Sequence, residues 1–355
     1  MSVTAALLSW FRQRRRVLPW RQPGVDGRAP AYGTWVAEIM LQQTRVEAVA
    51  PFFQRFLARF PDVAALAAAP LRDVLQLWSG LGYYRRARML HAAAAMVVAE
   101  RAGELPVDED GWRELPGVGE YTAAAIASIA QGFATPVVDG NVKRVAARWL
   151  DLDAPADSRT LHKQARAWGG RLMAEFGGTA AAPARTANPA GDLNQALMEL
   201  GATVCTPRAP RCEACPIATD CAARRRGTVE NRPAPPARKQ ALVDLELAFL
   251  AAQHHDGWLL RERVEGWNPG LWEPPCLPAA GRAALQAAWL AQGGGGRVGA
   301  ELGSVRHAIT HHRIRARVFA LQGWDGSGAV DPDKVALTGL ARKVLTLARQ
   351  AALAE

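Results

Sequence analysis

Four cysteines stand close enough together in the chain to surround one metal centre. They follow a C-x6-C-x2-C-x5-C pattern and are Cys205, Cys212, Cys215 and Cys221. Disulfides are uncommon in long cytosolic chains, and zinc ribbons usually use two short C-x2–4-C pairs set further apart. The unequal loops therefore favour a 4Fe–4S cluster, with zinc as the alternative. A fifth cysteine, Cys276, follows two prolines and is expected to be a packed thiol.

A glycine-rich turn with the sequence LPGVGEYT spans residues 115–122 and joins two predicted helices. Gly117 and Gly119 flank Val118, and glycines at such positions permit a tight turn with exposed backbone N–H groups. The helix that starts here points its unpaired amides and positive dipole end outward. Such a turn can bind a DNA backbone phosphate without reading a base. For this motif alone, an ordinary helix turn is the alternative.

Asp139, about 20 residues after this turn, is a candidate catalytic carboxylate. It follows Pro136-Val137-Val138 and precedes a predicted helix, where a carboxylate can act as an N-cap. The capping role is compatible with a catalytic one, because capping uses the carboxylate as a hydrogen-bond acceptor.

Length and charge limit the classes of protein to consider. The 355 residues are enough for two or three domains, and the formal net charge of +10 makes a polyanionic partner plausible. No run of 18 or more uncharged apolar residues suggests a membrane span. The first residues place arginines after the apolar stretch, unlike a secretory signal, so a cytoplasmic protein is expected.

Apolar spacing and proline positions predict helices for the first 220 residues and no convincing strand before about residue 240. One predicted helix covers residues 1–20, and another follows a Thr34 cap. Residues 176–191 are predicted to be a loop. The C-terminal third is expected to be α+β, with a hairpin around residues 255–257, strands within 305–321 and helices over 284–291 and 340–353.

The combination of helix–hairpin–helix turn, Pro/Gly segment, Asp139 and clustered cysteines resembles the endonuclease III superfamily of DNA glycosylases. Three segments resemble its MutY family of adenine glycosylases more specifically: WVAEIMLQQT (35–44), WSGLGYY (78–84) and DGNVKR (139–144). The resemblance implies a multidomain fold. Residues 1–225 would form an all-α helix-hairpin-helix glycosylase region with an iron–sulfur loop over 205–221, followed by a basic, Pro-rich linker over 226–240. Residues 241–355 would form an α+β, Nudix-like domain that recognises 8-oxoguanine.

The resemblance also implies a mechanism. Lyase glycosylases carry a lysine where this chain has Tyr121, so the enzyme would be monofunctional and use water as its nucleophile. Glu38 would be the acid that protonates adenine and then activates water. Asp139 would stabilise the sugar cation or bond to it, and these alternatives stay open. Glu38 should have a pKa raised by burial, while Asp139 must stay ionised.

Further roles follow residue by residue from the family motifs. An adenine pocket is expected from Trp20, Arg21, Tyr121 and Gln195, the last replacing an acid found in some relatives. DNA contacts are expected from Gln43, Thr44, Leu81, Tyr83, Gly117, Val118, Gly119, Thr310 and His311. The family commonly has Phe-Ser-His where this chain has Ile309-Thr310-His311, so the aromatic wedge of that loop is missing. His311 and His312, as neighbours on a strand, are expected to face opposite ways and not to share a metal.

The expected substrate is double-stranded DNA containing adenine opposite 8-oxoguanine or guanine. The enzyme would flip the adenine and hydrolyse its N-glycosidic bond to an abasic site in base excision repair, as a monomer at the DNA of a bacterial cytoplasm. The metal-binding Glu-rich box of a working Nudix hydrolase is absent from residues 266–300, which argues against pyrophosphatase activity. Two alternatives remain: a related glycosylase for thymine or uracil opposite guanine, and a non-catalytic iron–sulfur module that binds DNA.

Overall fold

The computed structural model describes residues 2–23, 29–176, 188–236, 241–277 and 281–353. Most of the predicted loop over 176–191 lies outside these ranges, as do the last residues of the predicted linker, 237–240.

Helices account for the regular structure of the described residues up to 236. The α-helices are α1 (Val3–Arg14), α2 (Ala31–Leu41), α3 (Val46–Arg59), α4 (Val63–Ala68), α5 (Leu71–Trp78), α6 (Arg85–Arg101), α7 (Glu109–Arg113), α8 (Glu120–Ile129), α9 (Gly140–Trp149), α10 (Arg159–Met173), α11 (Pro189–Thr203) and α12 (Ala222–Arg226). Short 3-10 turns lie at Pro19–Arg21, Ala174–Phe176, Cys212–Ala214 and Val229–Asn231. Strand pairing among these described residues is limited to an isolated bridge, so the all-α prediction is confirmed for them.

Side-chain caps set several helix starts. Ser2, Asp108, Asp139, Ser158 and Asn188 each accept a hydrogen bond from a backbone amide in the first turn of their helix. These caps satisfy amides that the helix cannot pair internally.

Four predicted helix or loop boundaries are wrong. The first helix ends at Arg14 instead of near residue 20. The helix α2 begins at Ala31, so Thr34 is a buried residue inside it and not its cap. The other two wrong boundaries are the end of the predicted loop and the start of the predicted linker, which are helical. Helix α11 includes residues 189–191 of the loop, and α12 includes residue 226 of the linker.

The C-terminal region is built on a four-stranded mixed sheet of order β6-β1-β8-β7. Its strands are β1 (Val243–Ala251), β6 (Cys276–Leu277), β7 (Arg297–Ile309) and β8 (His312–Gln322), and β1 pairs with β8 in parallel while the other pairs are antiparallel. Four two-residue strands form small hairpins beside it: β2 (Gln253–His254), β3 (Gly257–Trp258), β4 (Arg261–Glu262) and β5 (Trp272–Glu273). The predicted hairpin around 255–257 is therefore limited to the short β2–β3 pair, because β1 pairs with β8 along its whole length.

Two helices cover this sheet, α13 (Arg282–Ala291) and α14 (Gly339–Ala352). Alternate residues of β1 enter different core clusters. Phe249 packs in the cluster that contains Val344 of α14, whereas Leu250 packs in the cluster that contains Trp289 of α13. This period of two is the one that strands impose on their side chains. The predicted α+β character of this region is confirmed.

The chain divides into two compact units, Met1–Ala67 with Ala92–Lys239, and Ala68–His91 with Gln240–Glu355. Residues 68–91 thus group with the C-terminal sheet and not, as the predicted domain limits had it, with the N-terminal helices. None of the helices in the described ranges combines the length and apolar character needed to cross a bilayer.

Candidate active site

Glu38 lies on α2 and is buried, with 5% of its surface exposed. Its Oε2 accepts a hydrogen bond of 2.8 Å from the hydroxyl of Tyr121, which lies in the first turn of α8. Burial, together with the negative charge of Asp139, raises the pKa of Glu38 to about 7, although the Tyr121 hydrogen bond and the Arg21 charge oppose the rise. The raised pKa that the sequence analysis required is therefore present, and Glu38 can hold or release a proton near neutral pH.

Tyr121, unlike Glu38, stays protonated near neutral pH. Burial and the nearby carboxylates raise its pKa well above the ordinary value, so the phenol keeps its proton and acts as a donor. The same hydroxyl lies 3.6 Å from the sulfur of Met198. Tyr121 thus fixes the orientation of the Glu38 carboxyl.

Asp139 is the N-cap of α9, as predicted. Its Oδ1 accepts from the Val142 amide at 2.6 Å and its Oδ2 accepts from the Asn141 side-chain amide at 2.8 Å. The pKa of Asp139 is raised overall, because burial outweighs these hydrogen bonds and the Arg144 charge, which act to lower it. The two carboxyls interact electrostatically but differ in surroundings, since Asp139 has backbone and amide donors that favour its anion.

Arg21 connects the predicted pocket residues to a buried acid. Its Nε donates to Gln195 Oε1 at 2.9 Å, and its Nη2 donates to Glu199 Oε2 at 3.0 Å. Glu199, 1% exposed, also accepts from the Arg16 guanidinium at 2.7 Å. Trp20 precedes Arg21 in the same 3-10 turn and packs edge-on against Phe53, with ring centroids 5.6 Å apart. Arg21 and Gln195 are thus in direct contact with each other.

The helix–hairpin–helix turn is closed by a hydrogen bond from the Val118 amide to the Leu115 carbonyl oxygen at 3.1 Å. Gly117 has φ of +80°, a conformation that glycine adopts at little cost, and Gly119 is the extended N-cap of α8. Val118 between them is buried. Glu120, in the first turn of α8, is paired with Arg166 at 2.9 Å, which offsets a negative charge beside the predicted phosphate site.

Three predicted DNA-contact residues share an uncommon backbone conformation. Gln43, Tyr83 and Thr310 are non-glycine residues with φ of +55°, +49° and +51°. Such residues are uncommon outside glycine and often mark functional turns. All three side chains are exposed, and all three residues lie in connections between regular elements. Gln43 follows α2, Tyr83 follows α5, and Thr310 lies between β7 and β8.

The β7–β8 turn corrects one expectation. His311 lies in the turn and His312 begins β8, and their ring centroids are 4.1 Å apart, so the two side chains do not face opposite ways. Strand alternation does not apply across a turn residue.

The four clustered cysteines line one cavity of about 320 Å³, measured with its opening to solvent. Among the described residues, sets of three or more His, Cys, Asp and Glu ligand atoms within 4.8 Å of one another occur only at His254, His255 and Asp256. No three of the four cysteine sulfurs therefore lie within 4.8 Å of one another, whereas four sulfurs bound to one zinc at about 2.3 Å would all lie about 4 Å apart. This donor set fits a larger inorganic core better than a single zinc ion.

Two arginines join the cysteine loop to the helix that Asp139 caps. Arg144 Nε donates to the carbonyl oxygen of Cys205 at 2.8 Å, and its Nη2 donates to Asn141 Oδ1, also at 2.8 Å. Arg148 Nη1 lies 3.4 Å from Cys205 Sγ and donates to the Thr206 carbonyl at 2.7 Å. A chain of direct hydrogen bonds thus runs from Asp139 through Asn141 and Arg144 to the cysteine loop.

Sequence reasoning missed five residues that hold the site together: Arg16, Asn141, Arg144, Arg148 and Glu199. A signal existed for Glu199, which is four residues after Gln195 and so shares its helix face. Arg144 and Arg148 lie at the same spacing on α9. Arg16 offered no signal within its run of arginines.

The chain is similar to known DNA glycosylases. A model of the helix-hairpin-helix-GPD (HhH-GPD) superfamily of base excision DNA repair proteins matches residues 36–169. An adenine DNA glycosylase of Homo sapiens is 46% identical over 225 residues, which are 62% of this chain and 39% of that protein. An adenine DNA glycosylase of Buchnera aphidicola subsp. Acyrthosiphon pisum is 30% identical over 260 residues, 73% of this chain and 69% of that protein.

Among solved structures, a thermostable thymine-DNA glycosylase superposes with a TM-score of 0.53 at 25% identity, covering 63% of this chain and 95% of that chain. The chain spans less than half the length of the human protein that it matches.

Burial of Glu38 should cost stability in a pH-dependent way. A pKa raised from 4.5 to about 7 means that the folded state releases this proton less readily, so stability falls as pH rises through this interval. We expect Glu38→Gln to raise the free energy of unfolding by up to about 3 kcal/mol at about pH 8, and by much less at about pH 5. Urea denaturation at both pH values would measure this.

The matched control is Glu100→Gln, which changes an exposed acid on α6 and should leave stability nearly unchanged at both pH values. A Glu38→Gln protein that is less stable than the unmodified chain at about pH 8 would contradict the assigned burial cost.

Proposed function

Because the chain belongs to the adenine DNA glycosylase family of helix-hairpin-helix base excision repair proteins, we propose that it removes adenine opposite 8-oxoguanine or guanine in duplex DNA. The observation that carries the proposal is the pair Glu38 and Asp139, two interacting carboxyls held in different surroundings. One of them has a pKa near 7, and the other receives backbone and amide hydrogen bonds. Breaking a glycosidic bond requires this division between an acid and an anion.

The reaction begins with adenine flipped out of the duplex. Glu38 donates its proton to N7 of the base, and the electrons of the N-glycosidic bond leave with the base. Positive charge then develops on the sugar, where ionised Asp139 stabilises it. Glu38, now a carboxylate, accepts a proton from water as that water adds to C1′, which regenerates the acid and leaves an abasic site.

Tyr121 supports the assignment as a monofunctional enzyme. A Schiff base needs an amine, and this position carries a phenol whose proton is committed to Glu38. The Arg21 and Gln195 pair, with Trp20 beside it, supplies donors and acceptors for the wall of the adenine pocket.

The proposed DNA contacts fall into two chemical groups. The backbone amides of Gly117 and Gly119 are proposed to bind phosphate, because this turn leads into the positive end of α8. Val118 lies between them, and its own amide donates to the Leu115 carbonyl oxygen at 3.1 Å. The exposed side chains of Gln43 and Tyr83 are each proposed to enter the base stack and to offset the cost of extruding adenine. Thr44 follows Gln43 in its turn, whereas Leu81 is buried and would support the Tyr83 turn from within.

We propose that Cys205, Cys212, Cys215 and Cys221 hold a 4Fe–4S cluster, since their wide spacing around one cavity suits a cubane. When bound, the cluster would cross-link this short loop through the four thiolates. The loop carries Arg208 and Arg211, which are suited to phosphate contacts. Arg144 and Arg148 hold the same loop through the hydrogen bonds of α9.

The C-terminal unit is proposed to be Nudix-like and to read the base opposite adenine. Support comes from its mixed sheet between two helices and from the turn that presents Thr310 and His311. Thr310 retains a hydroxyl and an exposed position, so it can contact a base edge even without an aromatic neighbour.

Adenine release is tested directly by single-turnover assays on four duplexes, with A:8-oxoguanine, A:G, T:G and U:G pairs. We expect alkali-sensitive abasic sites only in the adenine strands, and no strand cleavage before alkali. Release of thymine or uracil in place of adenine would assign the chain to the rival specificity, and no release from any duplex would leave only DNA binding.

The rate of base release should depend on the protonation of Glu38. Since this carboxyl has a pKa of about 7 and must be protonated, the single-turnover rate should fall about tenfold for each pH unit above that value. The rate is measured from about pH 6 to about pH 9. Glu38→Gln should bind the same duplex across this range with release reduced by orders of magnitude, and a flat profile above neutral pH would remove Glu38 from the acid role.

The cluster assignment is tested on the purified protein by absorbance and metal analysis. We expect a brown protein that absorbs at about 400 nm and contains about four iron atoms per chain. Cys215→Ser should lose the absorbance. The control Cys276→Ser should keep it, because Cys276 lies in β6 and burial raises the pKa of its thiol to about 12. Stoichiometric zinc in a colourless protein would overturn the assignment.

A further inference from the structure

The turn that carries Tyr83 is hydrogen bonded to the residues around the start of α14. Ser79 Oγ donates to the carbonyl oxygen of Leu337 at 3.1 Å and accepts from the amide of Leu337 at 3.2 Å. Arg342 Nη2 donates to the same hydroxyl at 2.8 Å. A serine hydroxyl offers one donor and two acceptor positions, so these three bonds use all of its capacity.

Tyr84 adds a second connection between the same segments. Its hydroxyl donates to the Leu337 carbonyl at 3.0 Å and accepts from the Gly80 amide at 3.1 Å. The side chain is 3% exposed, so these bonds lie in a dry environment where losing them is costly. The backbone of the turn is thereby tied to one peptide group of the C-terminal segment.

The inner side of the turn is also fixed. The guanidinium of Arg86 lies 5.5 Å from the ring centre of Trp78 and 5.1 Å from that of Tyr83, and it donates to the Gly82 carbonyl at 3.1 Å. Tyr83 itself keeps φ of +49° and is 45% exposed. A non-glycine residue stays in this conformation only when its surroundings hold it there.

The first turn of α14 also touches the β7–β8 hairpin. Lys343 Nζ donates to the Arg306 carbonyl at 2.9 Å. At Gly339 an added Cβ would lie 3.4 Å from His307 Cε1, so the helix approaches the strand closely. Arg306 and His307 lead directly to the turn at Thr310.

We propose that Ser79 is a positioning residue that couples the Tyr83 turn to the Thr310 turn through the first turn of α14. A base read at the Thr310 turn then affects how firmly Tyr83 is presented to the DNA. This inference rests on the proposed function. Ser79 does not itself contact the base, since its hydroxyl is fully used within the protein.

Ser79→Ala tests the coupling in the full chain. The expected result is a loss of about tenfold in the single-turnover rate on A:8-oxoguanine, with A:G release changed by less than about twofold, because only the favoured base uses the coupled turns. Ser79→Thr keeps the hydroxyl and should restore the preference. Equal losses on both duplexes, or no loss, would overturn the proposal.

The matched control is Thr346→Ala, which removes an exposed hydroxyl from the same helix without a bond to the turn. It should behave as the unmodified chain on both duplexes. Arg342→Ala removes one exposed donor to Ser79 and should lower the same preference by a smaller factor, which keeps the test available if Ser79→Ala folds poorly.

Amide hydrogen exchange separates failure of this inference from failure of the proposed function. Ser79→Ala should speed exchange at Leu337 and in residues 80–84, with the C-terminal half of α14 unchanged. Exchange identical to that of the unmodified chain would overturn the coupling whatever the enzyme does. An unmodified chain that releases no adenine from either duplex would refute the function, while the exchange result still decides whether Ser79 holds the turn.

Discussion

The structure depends first on keeping a carboxylic acid protonated inside α2. Residues from Tyr32 to Met40 of this helix are all buried, so Glu38 has no route to water along its own helix. The resulting rise in pKa is large, and a single phenol hydrogen bond only partly offsets it. An all-round apolar helix is therefore a requirement of the proposed chemistry, because an amphipathic α2 would leave Glu38 solvated and ionised.

The second carboxyl shows how the fold separates two similar groups. Asp139 is only partly buried, and it caps a helix, where it receives amide donors that a mid-helix acid such as Glu38 does not. Asn141 links this cap to Arg144, and Arg144 reaches the carbonyl of Cys205. The cysteine loop thus contributes to the position of Asp139 through bonded groups. Loss of order in the cysteine loop would therefore change the position of Asp139 through this chain of hydrogen bonds.

The sequence contained the motifs but not the contacts between them. Helical spacing, the capping role of Asp139 and the short GVG turn depend on local chemistry, and these predictions are confirmed. The length of the first helix and the cap of α2 were wrong because tertiary packing decided both ends. The pairing of β1 with β8 joins segments about 70 residues apart, a distance over which neither alternation nor turn residues carry information. The same holds for Ser79 and Leu337, whose contact unites residues 68–91 with the C-terminal sheet.

Three exposed residues have a backbone conformation that their side chains make less favourable, which suggests that these side chains are kept for function. Gln43, Tyr83 and Thr310 occupy a region of φ where glycine would cost less, and none of them is buried. Burial in a core therefore gives no reason to keep a side chain at these positions. A glycine, however, has nothing to insert between bases or to place against a base edge. The strain is consistent with a surface that must present side chains from tight turns, and the dense hydrogen bonding around Tyr83 is what such a turn requires to stay formed.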